Sequence, residues 1–109
     1  MFGKLSNMNR VFKALSDPTR RRVLQLLRER PMTAGELAAH FPMHKATMSA
    51  HFSVLREADL IAADKHGKSI TYRLRLSVLE DALLAFSEMV GIGFSLSPNT
   101  DRAIEEGAE

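Results

Sequence analysis

Hydrophobic residues recur along this chain at two periods, and the change between them marks its elements. Leu5, Met8, Phe12 and Leu15 fall at steps of three and four, the spacing of one helix face, so a first helix ends near Ser16. Ser16-Asp17-Pro18-Thr19 supplies the next start, with Asp17 as N-cap and Pro18 at the first helical position, where its missing amide hydrogen costs nothing. Val23, Leu26 and Leu27 form the buried face of that second helix, which stops before Pro31. Thr33 and Glu36 then stand at capping-box spacing, and Leu37 anchors a short third helix in the core. Pro42 interrupts it. A fourth helix, from about His44 to Ala58, puts Met48, Phe52 and Leu55 on one side and Ala46, Ser49, Ala50 and Ser53 on roughly the other.

Beyond that helix the period shortens to two. Leu60–Asp64 and Ser69–Arg75 read as strands around Lys65-His66-Gly67-Lys68, with Ile70, Tyr72 and Leu74 on one face of the second and Thr71, Arg73 and Arg75 on the other. Helical spacing returns from Ser77, which has the chemistry of a cap, through Val78, Leu79, Ala82, Leu83, Phe86, Met89 and Val90. Gly91 and Gly93 weaken any continuation, and the turn-forming and acidic residues that follow read as a mobile tail over 94–109. The expected fold is mainly α with a small β-hairpin, in one domain spanning 1–93.

At 109 residues a single domain is expected, and a core this small gains from oligomerisation. Its net charge of +2 hides an asymmetry: residues 1–76 hold 14 Lys and Arg against 6 Asp and Glu, whereas residues 77–109 hold 1 against 7. The first part therefore has the field that attracts phosphate. Cysteine is absent, which excludes disulfides, thiolate metal sites and thiol redox sensing within the chain. No apolar run has the length of a membrane span, and MFGKLSNMNR lacks the apolar core of a signal peptide, so a cytoplasmic protein without membrane insertion is expected.

Residues 33–58, two short helices broken by Phe41-Pro42-Met43, have the grammar of a helix-turn-helix. The second helix presents His44, Lys45, Thr47, Ser49, Ala50, His51 and Ser53, small or hydrogen-bonding side chains suited to base edges in a major groove. An ordinary solvated face would more often carry Glu, Lys and Gln. The basic hairpin directly after it occupies the place of the wing in a winged helix-turn-helix. Lys65, His66, Lys68 and Arg73 there, with Arg20 and Arg21, are the candidate phosphate contacts, while Arg22 is assigned to helix packing. The apolar faces of the first and last helices, through Leu5, Met8, Phe12, Leu79, Leu83, Phe86 and Val90, suit a two-fold homodimer interface; the alternative is that they cover the protomer's own core.

VFKALSDPTRRRVLQLLRERPMTAGELAAHF at 11–41, KATMSAHFSVLREADLI at 45–61 and KHGKSITYRL at 65–74 resemble the ArsR/SmtB family of winged-helix repressors, a likeness covering about residues 8–90. It implies a homodimeric repressor on double-stranded operator DNA, with four helices, a hairpin and a last helix in that order. Repression in the family is commonly relieved by a metal ion or an oxidant, and this chain departs from both patterns. Where the family's metal-binding helix reads ELCVCDL, the chain has Glu36-Leu37-Ala38-Ala39-His40-Phe41, and no histidine follows His66 for the site on the last helix. The resemblance is closer to the SdpR-like branch of autorepressors, which lack metal motifs and can be relieved by a protein anti-repressor; no cofactor is expected. A metal-responsive repressor built on His40, His44, His51 and His66 and a protein-interaction module regulated by partner sequestration are the alternatives. An enzyme is disfavoured, for no nucleophile elbow, phosphate-cradling loop or metal-ligand helix is present.

Overall fold

The computed structural model describes the backbone of residues 2–92 and the side chains of residues 7–92; the tail at 94–109 and the side chain of Leu5 lie outside the described residues. Among the described residues five helices and three strands follow in the order α1 (Phe2–Leu15), α2 (Pro18–Glu29), β1 (Met32–Thr33), α3 (Ala34–Ala38), α4 (Lys45–Glu57), β2 (Ile61–His66), β3 (Ser69–Leu74) and α5 (Leu76–Val90). The fold is mainly helical, as the hydrophobic periods predict, and the helices enclose one core. Val11, Val23, Leu37, Leu55 and Leu60 are wholly buried in it.

Local chemistry sets most boundaries. Asp17 accepts the amide of Arg20 at 3.1 Å and Pro18 opens α2. Thr33 Oγ1 accepts the Glu36 amide at 3.1 Å while Glu36 Oε1 accepts the Thr33 amide at 2.8 Å, so the capping box at the start of α3 is complete. That bond from the Thr33 amide, and then the nearby Arg30 guanidinium, hold the Glu36 carboxyl below the usual glutamate range against a smaller desolvation effect. Replacing Thr33 with alanine is expected to cost about 1 kcal/mol. The urea midpoint should fall with an unchanged slope, and an unchanged midpoint would mean that the box contributes nothing.

The sheet has one strand more than the alternation predicts. β1 pairs with β3 through Met32 opposite Tyr72 and Thr33 opposite Thr71, giving the antiparallel order β1-β3-β2. Thr33 thus joins the sheet to the first helix of the helix-turn-helix. The hairpin also runs further than expected, since β2 continues through Lys65 to His66 and only Gly67 and Lys68 form the turn. Gly67 has φ +62, as a tight two-residue hairpin requires at its first central position.

Two more boundaries carry structural weight. The end of α4 is a Schellman motif: Leu60 donates to Leu55 at 3.0 Å and Asp59 to Arg56 at 2.9 Å, with Asp59 in the left-handed region at φ 60. Leu55 and Leu60, both fully buried, supply its hydrophobic contact. At the other junction Ser77 is not the cap of α5. The helix begins at Leu76, and the preceding Arg75 donates its amide to Leu60 at 2.8 Å, which carries β3 directly into the helix.

Candidate nucleic-acid interface

Helix α4 separates its residues sharply. Met48, Phe52 and Leu55 are buried, and the Phe52 ring lies 4.8 Å from that of Tyr72 on β3, fastening the helix to the sheet. Lys45, Thr47, Ser49, Ala50 and Ser53 are exposed, together with Ala46. His44 is the N-cap residue, exposed and making no side-chain cap bond, so its imidazole is available at the start of the helix. Arg56, one turn beyond Ser53 and also exposed, extends this face with a cation. Arg56 is absent from the expected contacts, although its three-residue step from Ser53 is the signal that identifies it.

Arg20 and His51 are set apart from the other expected contacts. Arg20 Nε donates to the Ala14 carbonyl at 2.8 Å and Nη2 to the Lys13 carbonyl at 2.9 Å, so its guanidinium closes the C-terminal end of α1. Its Nη1 lies 3.2 Å from His51 Nδ1. The His51 side chain is only 16% exposed and turns toward the α1–α2 junction. Asp17 sits beside both, its Oδ2 3.9 Å from His51 Nδ1. Partial burial pushes the Asp17 carboxyl up, but the Arg20 amide above all, with the Thr19 amide and the Arg20 charge, brings it below the ordinary aspartate value. Arg21, more exposed, donates from Nη1 to the Leu15 carbonyl at 2.7 Å.

On the wing, Lys65, His66 and Lys68 are exposed around the turn. Arg73 is engaged, its Nε donating to Asp64 Oδ2 at 2.8 Å across the hairpin. That bond, followed by the charge of Arg73 and of His66, holds the Asp64 carboxyl below its usual value. Lys65 and Lys68 leave the wing tip basic.

Among the residues expected at a two-fold interface, Met8 belongs to the protomer's own core, at 4% exposure. α1 and α5 pack on each other, with the Phe12 and Phe86 rings edge to face at 5.0 Å. Leu79 and Leu83 are half-buried. Phe86 and Val90 keep open surface, and so do Leu76, Leu84, Met89 and Ile92, four residues absent from the expected set. Met89 at 58% and Ile92 at 64% are the most open of the large apolar side chains described, so α5 leaves an apolar face uncovered.

Cysteine is absent from the chain, Ala38 ends α3 with an exposed His40 two residues beyond it, and among the described residues no group of three or more His, Asp or Glu side chains is placed to hold a metal ion. Among the described residues no helix is long and apolar enough to cross a membrane.

A buried-backed helix with a small-residue outer face, preceded by a capped helix and followed by a basic hairpin, defines a winged helix-turn-helix DNA-binding protein. Residues 15–62 match the model of a helix-turn-helix domain. The chain is 46% identical over 76 residues to the transcriptional repressor SdpR of Bacillus subtilis, covering 70% of this chain and 84% of that protein. It is 30% identical over 76 residues to the arsenical resistance operon repressor of Staphylococcus aureus, with 70% and 73% covered. Among solved structures, an ArsR-like transcriptional regulator from Rhodococcus sp. RHA1 superposes with a TM-score of 0.70 at 29% identity, over 98% of this chain and 97% of that one. The chain belongs to the ArsR/SmtB family of winged-helix repressors: it is a DNA-binding transcriptional regulator and not an enzyme.

Proposed function

We propose that the protein is a homodimeric, cytoplasmic repressor that binds an inverted-repeat operator without a metal cofactor and acts by excluding polymerase from the promoter. The observation that carries this reading is the outer face of α4, where Ser49, Ala50 and Ser53 are exposed on a helix whose other side is held by Met48, Phe52 and Leu55. Side chains this short let a helix backbone approach the floor of a major groove. Lys45 and Thr47 join them as base contacts, with His44 at the edge of the groove. Arg21, Arg56, Lys65, His66 and Lys68 take phosphates, and Arg73 contributes less because Asp64 already holds it. A two-fold axis through the open apolar face of α5 would set two such units on half-sites about 34 to 36 Å apart.

Likeness to a transcriptional repressor supports repression; control of the protein's own gene, and relief by a protein that captures the repressor rather than by an ion, complete the proposal. Selection of bound duplexes from a random pool, run in parallel with zinc, nickel and a chelator, tests the reading. An enriched inverted repeat of the same sequence in all three is expected. Metal-dependent enrichment would remove the cofactor-free part, a single half-site bound by a one-chain species would remove the dimer, and no enrichment would remove operator binding.

A further inference from the structure

We propose that His51 is a positioning residue for operator recognition, setting the roll of α4 through Arg20 while its imidazole stays off the DNA. The inference rests on the docking of α4 described above and deepens it.

Arg20 is already fixed before it meets α4, since two of its nitrogens are bonded to the Lys13 and Ala14 carbonyls at the end of α1. Its backbone is fixed as well, because its amide closes the Asp17 cap of α2. The guanidinium therefore acts as a bracket anchored on two helices, and its remaining terminal nitrogen points at His51 Nδ1, 3.2 Å away. A guanidinium has five donors and no acceptor, so this contact requires Nδ1 to offer its lone pair and Nε2 to carry the proton. His51 thus engages the bracket as an acceptor through Nδ1.

The angular placement gives this contact its leverage. At 3.6 residues per turn, Ser49 and Ser53 each lie roughly 200° around the helix from His51, on the opposite side. The bracket consequently grips the back of α4 midway along its length, and a small rotation there swings every outer side chain by the same angle. Loss of the grip should weaken all base contacts together and leave the number of neutralised phosphates unchanged.

Two neutral replacements separate the ring nitrogens. In His51→Asn the amide oxygen falls near the position of Nδ1 and can accept from Arg20. In His51→Gln the longer side chain places its amide near Nε2 and gives up the bracket. Affinities for the selected operator, for operators changed one base pair at a time and for unrelated duplex would be measured over a range of salt. His51→Asn should stay within about twofold of the unmodified protein, and His51→Gln should lose about tenfold on the operator, the order of one hydrogen bond to a charged group. That loss should be spread evenly over operator positions, with the salt slope unchanged.

A histidine that reads a base through Nε2 would reverse the order of the variants and confine the loss to one base pair. A histidine on a phosphate would make the salt slope shallower by about 0.9. Either result overturns the proposal while leaving the docking of α4 in place, and equal affinities for the two variants would overturn it as well. If the unmodified protein distinguishes no operator from unrelated duplex, the docking falls and the proposal with it.

Discussion

Replacing Ala50 with glutamate should abolish specific DNA binding and leave the fold unchanged. Ala50 is exposed on the outer face of α4, where the change costs a helix only a few tenths of a kcal/mol. At the proposed interface its effect is far larger. The longer side chain holds the helix away from the base edges and sets a carboxylate between two phosphate backbones, removing favourable contacts and adding repulsion. Loss of even two base contacts, at about 1 to 3 kcal/mol each, weakens operator binding on the order of 100-fold. The affinity is to be read by mobility shift alongside thermal unfolding. A variant that unfolds like the parent but keeps operator affinity within threefold would show that this face of α4 does not enter the groove.

The largest effect on stability is expected at Phe52. Its side chain is 4% exposed and its ring lies against Tyr72 at 4.8 Å, so it bridges the two parts of the proposed interface, the helix and the sheet that carries the wing. Phe52→Ala removes an aromatic ring from a site closed on several sides, at a cost of about 3 to 5 kcal/mol. Domains of this kind have roughly 5 to 15 kcal/mol in total, so a measurable fraction of the variant should be unfolded at physiological temperature. Urea denaturation gives the number directly. A loss under 1 kcal/mol would mean that the surrounding side chains collapse into the space and that the ring is not what ties α4 to β3. Phe52→Leu, which keeps most of the apolar volume, should recover more than half of the loss.

Much of this molecule is legible from the sequence because its signals are local. Asp17-Pro18 and the Thr33–Glu36 pair each span a single turn, and both act as caps in the structure. Met48, Phe52 and Leu55 are recognisable as a buried stripe for the same reason, and the exposed small residues follow from it. The failures involve distance. β1 is two residues long and exists because Tyr72 and Thr71 lie opposite it, about forty positions later in the chain, so no periodic pattern could announce it. Ser77 has the right chemistry for a cap but is displaced by the Arg75–Leu60 bond, which fixes where the strand ends. His51 and Arg20 each carry the character of a DNA contact, and neither reveals that the two meet across 31 positions. Apolar periodicity likewise puts Met8 and Met89 each on the apolar face of its helix, yet the packing buries the first and leaves the second open.

The Schellman turn after α4 has a consequence for the operator itself. Two backbone bonds and the Leu55–Leu60 contact leave little play between the helix and the strand that follows. If the helix and the hairpin tip both touch DNA, they measure it with a ruler of fixed length. A half-site lengthened by one base pair between those two points could not be matched by bending at Asp59, so such an insertion should be penalised more heavily than one placed between the half-sites, where the separation is set by the contact of one protomer with the other.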